Sequence, residues 1–79
     1  MNTRELEREL GKLNVSPRRY NLEGLQPDAS EGLVLAKEGT KWLVRHFERG
    51  SWYTLQTCES EADACTALLG YASDPFYRS

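Results

Sequence analysis

This chain has little of what marks an enzyme, a metalloprotein or a membrane protein. It holds one histidine, His46, and two cysteines, Cys58 and Cys65, with no CxxC pair. Structural zinc wants three or four Cys/His ligands at short spacings, so no metal site is expected. A disulfide scaffold of this size would carry more cysteines, so both thiols are expected to be reduced and buried. No apolar run approaches the roughly 18 residues of a membrane span. The N-terminal run Met-Asn-Thr-Arg-Glu-Leu-Glu-Arg is charged, unlike a signal peptide, and the expected location is the cytoplasm. Lys plus Arg number 10 against 12 Asp plus Glu, which leaves no basic excess for nucleic acid. The six glycines are scattered, so no phosphate-binding loop is present and no cofactor is expected.

What remains is a short chain with a mixed surface and a concentrated set of aromatics. Its 79 residues allow one domain, spanning 1–79. A domain of this size buries only about 60% of the surface its unfolded chain exposes, so its core is thin. A deep pocket with a full catalytic constellation has little room. Binding through a surface suits it better.

The first segment reads as a helix. Thr3 is a candidate cap, and Leu6, Leu10 and Leu13 recur at helical spacing. Asn14 is a natural stop, and Pro17 forbids continuation. The apolar stripe is narrow, which predicts light packing. Residues 18–22 suggest a short strand, with Tyr20 and Leu22 on one face, and residues 23–31 read as a loop. Three strands follow: Leu33 to Lys37, Lys41 to Glu48, and Ser51 to Thr57, the last rich in sheet-forming side chains. A loop of Glu38-Gly39-Thr40 and a turn at Arg49-Gly50 join them. A second helix starts at Ser60, with Asp63 three residues on as a short-armed capping box. Cys65, Leu68, Leu69 and Ala72 form its apolar face, and Ser73-Asp74-Pro75 ends it. Phe76 and Tyr77 follow in a tail that can fold back. The expected fold class is α+β: an N-terminal helix, an antiparallel three- to four-stranded β-meander and a C-terminal helix packed on one sheet face.

Alternation along the strands sorts the side chains into two sets. One holds Val34, Ala36, Trp42, Val44, His46, Tyr53 and Leu55, and is assigned to the C-terminal helix. The other holds Leu33, Leu35, Lys37, Leu43, Arg45, Phe47, Trp52, Thr54 and Gln56. A bulge at Arg49-Gly50 would exchange partners on the third strand. Both sets are apolar and aromatic, more than two short helices can cover unless the first helix takes the second face. Part of Leu43, Phe47, Trp52 and Tyr53 is therefore expected at the surface, where such patches mark protein interfaces. Arg45, Glu48 and Arg49 flank them, and Arg is favoured at interface hot spots for its planar, carboxylate-clamping fork. The plain alternative is a set of solvated charges around a hairpin turn. Catalysis finds no comparable support. His46 reads as a half-buried strand residue, and Cys65 lies on an apolar helix face where a thiol is inert.

Taken together, four runs form a recognisable pattern: Glu31-Gly32-Leu33-Val34-Leu35, Lys41-Trp42-Leu43-Val44, Phe47-Glu48-Arg49-Gly50 and Glu59-Ser60-Glu61-Ala62-Asp63-Ala64-Cys65. The pattern resembles small bacterial immunity proteins encoded beside polymorphic toxins, most closely those paired with NAD(P)+-glycohydrolase toxins of the tuberculosis-necrotizing-toxin type. Residues 31–65 carry the resemblance; the third strand is more aromatic here than the family pattern. The resemblance implies a non-enzymatic protein that binds its cognate toxin one to one and blocks the NAD-binding cleft. On that reading Phe47, Trp52 and Tyr53 are anchors, and Arg45, Glu48 and Arg49 orient the partner. Immunity to another toxin class, a secretion adaptor, a small-ligand module using His46 and a cysteine, and a homodimer through the sheet face are the competing readings.

Overall fold

A computed structural model of the protein describes residues 1–75; the tail expected at Phe76 and Tyr77 lies outside the described residues. The order is helix α1 (Thr3–Lys12), a 3-10 turn (Pro17–Arg19), strands β1 (Tyr20–Asn21), β2 (Glu31–Glu38), β3 (Lys41–Glu48) and β4 (Ser51–Cys58), and helix α2 (Glu61–Ala72). The four strands lie side by side in chain order, β1 parallel to β2 and the rest antiparallel. This is the α+β arrangement expected, with the short segment at 18–22 resolved into a 3-10 turn and a two-residue strand. Among the described residues no helix is long and apolar enough to cross a membrane.

Both helices have well-made ends. The N-cap of α1 is Asn2, one residue before the Thr3 expected. The Asn2 side chain accepts from the Glu5 amide at 2.9 Å, and the Glu5 carboxylate accepts from the Asn2 amide at 3.2 Å. That reciprocal pair satisfies two otherwise orphaned donors; Thr3 has Leu6 three residues on and cannot form it. At the other end Asn14 takes φ 62°, the left-handed conformation that Asn tolerates. The chain then folds back, with Asn14 N–H donating to the Gly11 carbonyl and Val15 N–H to the Leu10 carbonyl. Helix α2 starts as expected, with Ser60 Oγ accepting from the Asp63 amide at 3.1 Å.

The core departs from the sequence expectation in three ways. First, the β2–β3 turn has two residues, Gly39 and Thr40, because Glu38 pairs with Lys41. Gly39 takes φ 62°, suited to the first position of a two-residue hairpin loop. Losing one loop residue turns every β2 side chain over relative to β3. Leu33 and Leu35, not Val34 and Ala36, therefore join Trp42, Val44 and Cys58 against α2 in the core cluster. Second, the bulge lies at Leu55, not at Arg49-Gly50: Val44 pairs with Gln56 and Arg45 with Thr54, which leaves Leu55 unpaired. Gln56 thereby crosses to the helix side. Third, α1 is no loose appendage. Leu6 and Leu10 are fully buried, and α1 packs against α2 on the same side of the sheet.

Neither helix covers the second sheet face. The segment 22–30 covers part of it instead. Pro27 is buried over Gly32, and Gly24 lies over Ala36. A Cβ on Gly32 would stand 2.3 Å from the Arg19 carbonyl oxygen, so only glycine lets β2 pass that close to the 3-10 turn. The Asn21 side chain holds the start of this segment by accepting from the Glu23 and Leu25 amides at 2.8 and 3.0 Å. Beneath it Val34 and Phe47 are buried, a second small apolar layer apart from the helix-side core.

Candidate protein-binding surface

The covering segment runs over β1 and β2, and the helix-free face of β3 and β4 lies beyond it. There the cross-strand pair Phe47–Trp52 packs edge to face, ring centroids 4.8 Å apart. The Arg45 guanidinium lies over the Trp52 ring, 4.6 Å from its centroid. Trp52, half-buried, thus contacts both Phe47 and Arg45. A guanidinium on an indole face contributes about 0.5–1 kcal/mol at an exposed site. Arg45 Nε is buried and has no hydrogen-bond partner among the described residues. An unmet donor of this kind is costly in the free molecule. Half-buried Leu43, the exposed Thr54 and Thr57, and Leu25, 61% exposed on the covering segment, complete the apolar rim.

The six residues singled out from sequence do not form one site. Arg45, Phe47 and Trp52 share the helix-free face. Phe47, only 4% exposed, is the platform for Trp52 and not itself an anchor. Trp52 packs on it, and its cross-strand partner Gly32 lies beneath Pro27. Tyr53 is 51% exposed but points to the opposite face, beside its cross-strand partner His46, ring centroids 6.2 Å apart. Glu48 shares that side, its carboxylate 3.7 Å from His46 Nε2. Arg49 is exposed at the tip of the hairpin between the two faces. Leu25 carries little sequence signal, a lone leucine among Gly, Gln and Pro in a turn-rich stretch with no periodicity.

The chemistry elsewhere is spare. Cys58 and Cys65 are free and buried. Burial, then the carboxylate of Glu61, pushes the Cys65 thiol above its ordinary pKa, the wrong direction for a nucleophile. Among the described residues no group of three or more His, Cys, Asp or Glu is placed to hold a metal ion. An open groove lies between the end of β4 and α2, lined by residues such as Gln56, Glu59, Asp63 and Thr66. Its carboxylates are already engaged in local structure: Glu59 pairs with Lys41, and Asp63 sits in the first turn of α2.

Comparison with protein-family models, with characterised proteins and with solved structures finds no match for this chain.

Proposed function

We propose that this domain works by binding another protein through the helix-free face of β3 and β4. The observation that carries the reading is the Arg45–Trp52–Phe47 cluster: an Arg with a buried, unmatched donor, held on an aromatic face that neither helix covers. Interface hot spots favour such residues, Trp and Arg above all. The chemistry of the partner follows from the resemblance of residues 31–65 to immunity proteins. The partner is a cognate antibacterial toxin, of the NAD(P)+-glycohydrolase type, held one to one in the cytoplasm with its active site occluded. A typical tight complex buries about 800 Å² on each side, and the open half of the sheet face with Leu25 and Arg49 at its rim is where that area would come from.

The test is co-expression with the toxin domain encoded beside this gene, an NAD+ hydrolysis assay, and calorimetry of the purified pair. Arg45→Glu is expected to weaken binding at least tenfold and restore NAD+ hydrolysis, with the circular dichroism of the free variant unchanged. Arg49→Glu is expected to act more weakly, since Arg49 stands at the rim. Wild-type affinity in Arg45→Glu would remove the face from consideration. A neighbouring toxin whose activity the wild-type protein leaves untouched would remove the toxin.

A further inference from the structure

Among the described residues strand β4 is an edge of the sheet, paired on one side only by β3. Its eight residues, Ser-Trp-Tyr-Thr-Leu-Gln-Thr-Cys, include no charge and no proline, whereas β2 and β3 each carry three charged residues. Edge strands expose a row of free amides and carbonyls, and monomeric proteins blunt them with Lys, Pro or cover. Here Ser51 and residues 53–57 are all exposed. Among the described residues the one blunting device is the bulge at Leu55, which leaves Ser51 to Thr54 regular. We infer that this edge is a self-pairing surface: two copies of the chain join β4 to β4, antiparallel, about a two-fold axis at Tyr53.

The register follows from the hairpin. Arg49 and Gly50, at φ 48° and 85°, form a two-residue turn, so the closing pair Glu48 and Ser51 exchanges its hydrogen bonds within the hairpin. Antiparallel pairing alternates. The Tyr53 amide and carbonyl also point inward, to His46, while those of Trp52 and Thr54 point out from the edge. Two such edges meet when Trp52 of one copy faces Thr54 of the other and the reverse, which makes four hydrogen bonds. The residue between, Tyr53, then faces its own copy in the close, non-hydrogen-bonded position, where aromatic pairs contribute most.

The absence of charge selects a second copy over a foreign strand. Pairing about a two-fold axis at Tyr53 sets that residue against its own copy, so a charge there would face itself, and a like charge at Trp52 or Thr54 would stand only two residues along from its mate. A foreign strand imposes no such condition and profits from complementary charge. The nearest charged side chain on the open face, Arg45, lies one strand back. Across the axis it is three strand spacings, about 14 Å, from its mate, which is beyond the screening length. Pairing uses the backbone edge and leaves the Arg45–Trp52 face open, so the inference stands independently of the partner proposed above.

Light scattering of the isolated protein across a concentration series tests it. The mass is expected to rise from 9.0 kDa toward twice that value, with amide hydrogen exchange at Trp52 and Thr54 slowing in step. Tyr53→Lys sets two ammonium groups face to face at the axis and is expected to hold the monomer mass throughout. Tyr53 is half exposed, and unchanged circular dichroism verifies the fold. A wild-type mass that stays monomeric up to about 1 mM overturns the proposal. So does a Tyr53→Lys dimer of unchanged strength, or a dimer in which the Trp52 and Thr54 amides exchange as before. If those amides slow only when a foreign protein binds, the edge belongs to that protein.

Discussion

Arg49 occupies the left-handed region at φ 48°, where a side chain with a Cβ costs about 1–2 kcal/mol relative to its preferred conformation. Asn and Gly are the residues that two-residue hairpins ordinarily place there. Arg49→Asn keeps the turn and relieves that strain, and thermal or urea unfolding is expected to show a gain of about 1 kcal/mol. If Arg49 also meets a partner at the rim, the same variant gains stability while losing affinity, a split that calorimetry with the proposed partner would reveal. A strained arginine retained in a turn is the sort of residue that sequence inspection can flag. The two left-handed positions, Asn14 and Arg49, fall at the helix stop and the turn named from sequence, because Asn and a following Gly announce them. Exposure was less legible. Phe47 and Tyr53 look alike in the sequence, and the face each takes decides the difference: Phe47 packs with Trp52 on the side that Pro27 crosses, and Tyr53 lies on the other.

At the scale of elements, the helix and strand boundaries were readable because caps and turn residues are local. Ser60 with Asp63, and Arg49 with Gly50, needed no knowledge of the rest of the chain. Registers were not readable. Leu33 and Leu35 alternate with Val34 and Ala36, four apolar residues in a row, so the pattern could not say which pair faced the helices. That choice depended on whether the hairpin loop held two residues or three. The Leu55 bulge has no local signal at all. The weight of α1 was underestimated for a related reason: its stripe is too narrow to cover a sheet but wide enough to lie along α2. Its load-sharing role is testable. Leu10 is fully buried and also anchors the helix stop through its carbonyl, so Leu10→Ala is expected to cost about 2–5 kcal/mol in urea unfolding. A cost below about 1 kcal/mol would return α1 to the periphery.

For the molecule as a whole, total stability is expected to be about 4–12 kcal/mol at ordinary values per residue, so the Leu10 change alone would use up a large share. Its alkaline limit follows from a buried thiol and a half-buried phenol. Burial raises the Cys65 thiol, assisted by Glu61 and Glu5 and opposed by the N-terminal amine. Burial, then Glu7, raises the Tyr20 hydroxyl. Each group holds its proton more tightly folded than unfolded. Stability from this source is therefore intact below the unfolded values, about 9 for the thiol and 10 for the phenol, and is lost as pH climbs through the raised folded values. The melting temperature is expected to stay level through neutral pH and to fall above about pH 9, with Cys65→Ala removing the earlier part of the decline. A melting temperature unchanged beyond pH 10 would contradict the upward shift of both groups.

The far side of the sheet ends in a strand of two residues, Tyr20–Asn21, running parallel to its neighbour behind the 3-10 turn. So short a border offers little ladder on which another chain could continue, and the β2 edge beyond it carries Lys37 and Glu38, charges of the kind that blunt such edges. Association through the long border therefore has a natural stopping point at two molecules, and the polymerisation that an uncharged strand invites is cut off by the opposite end of the same sheet.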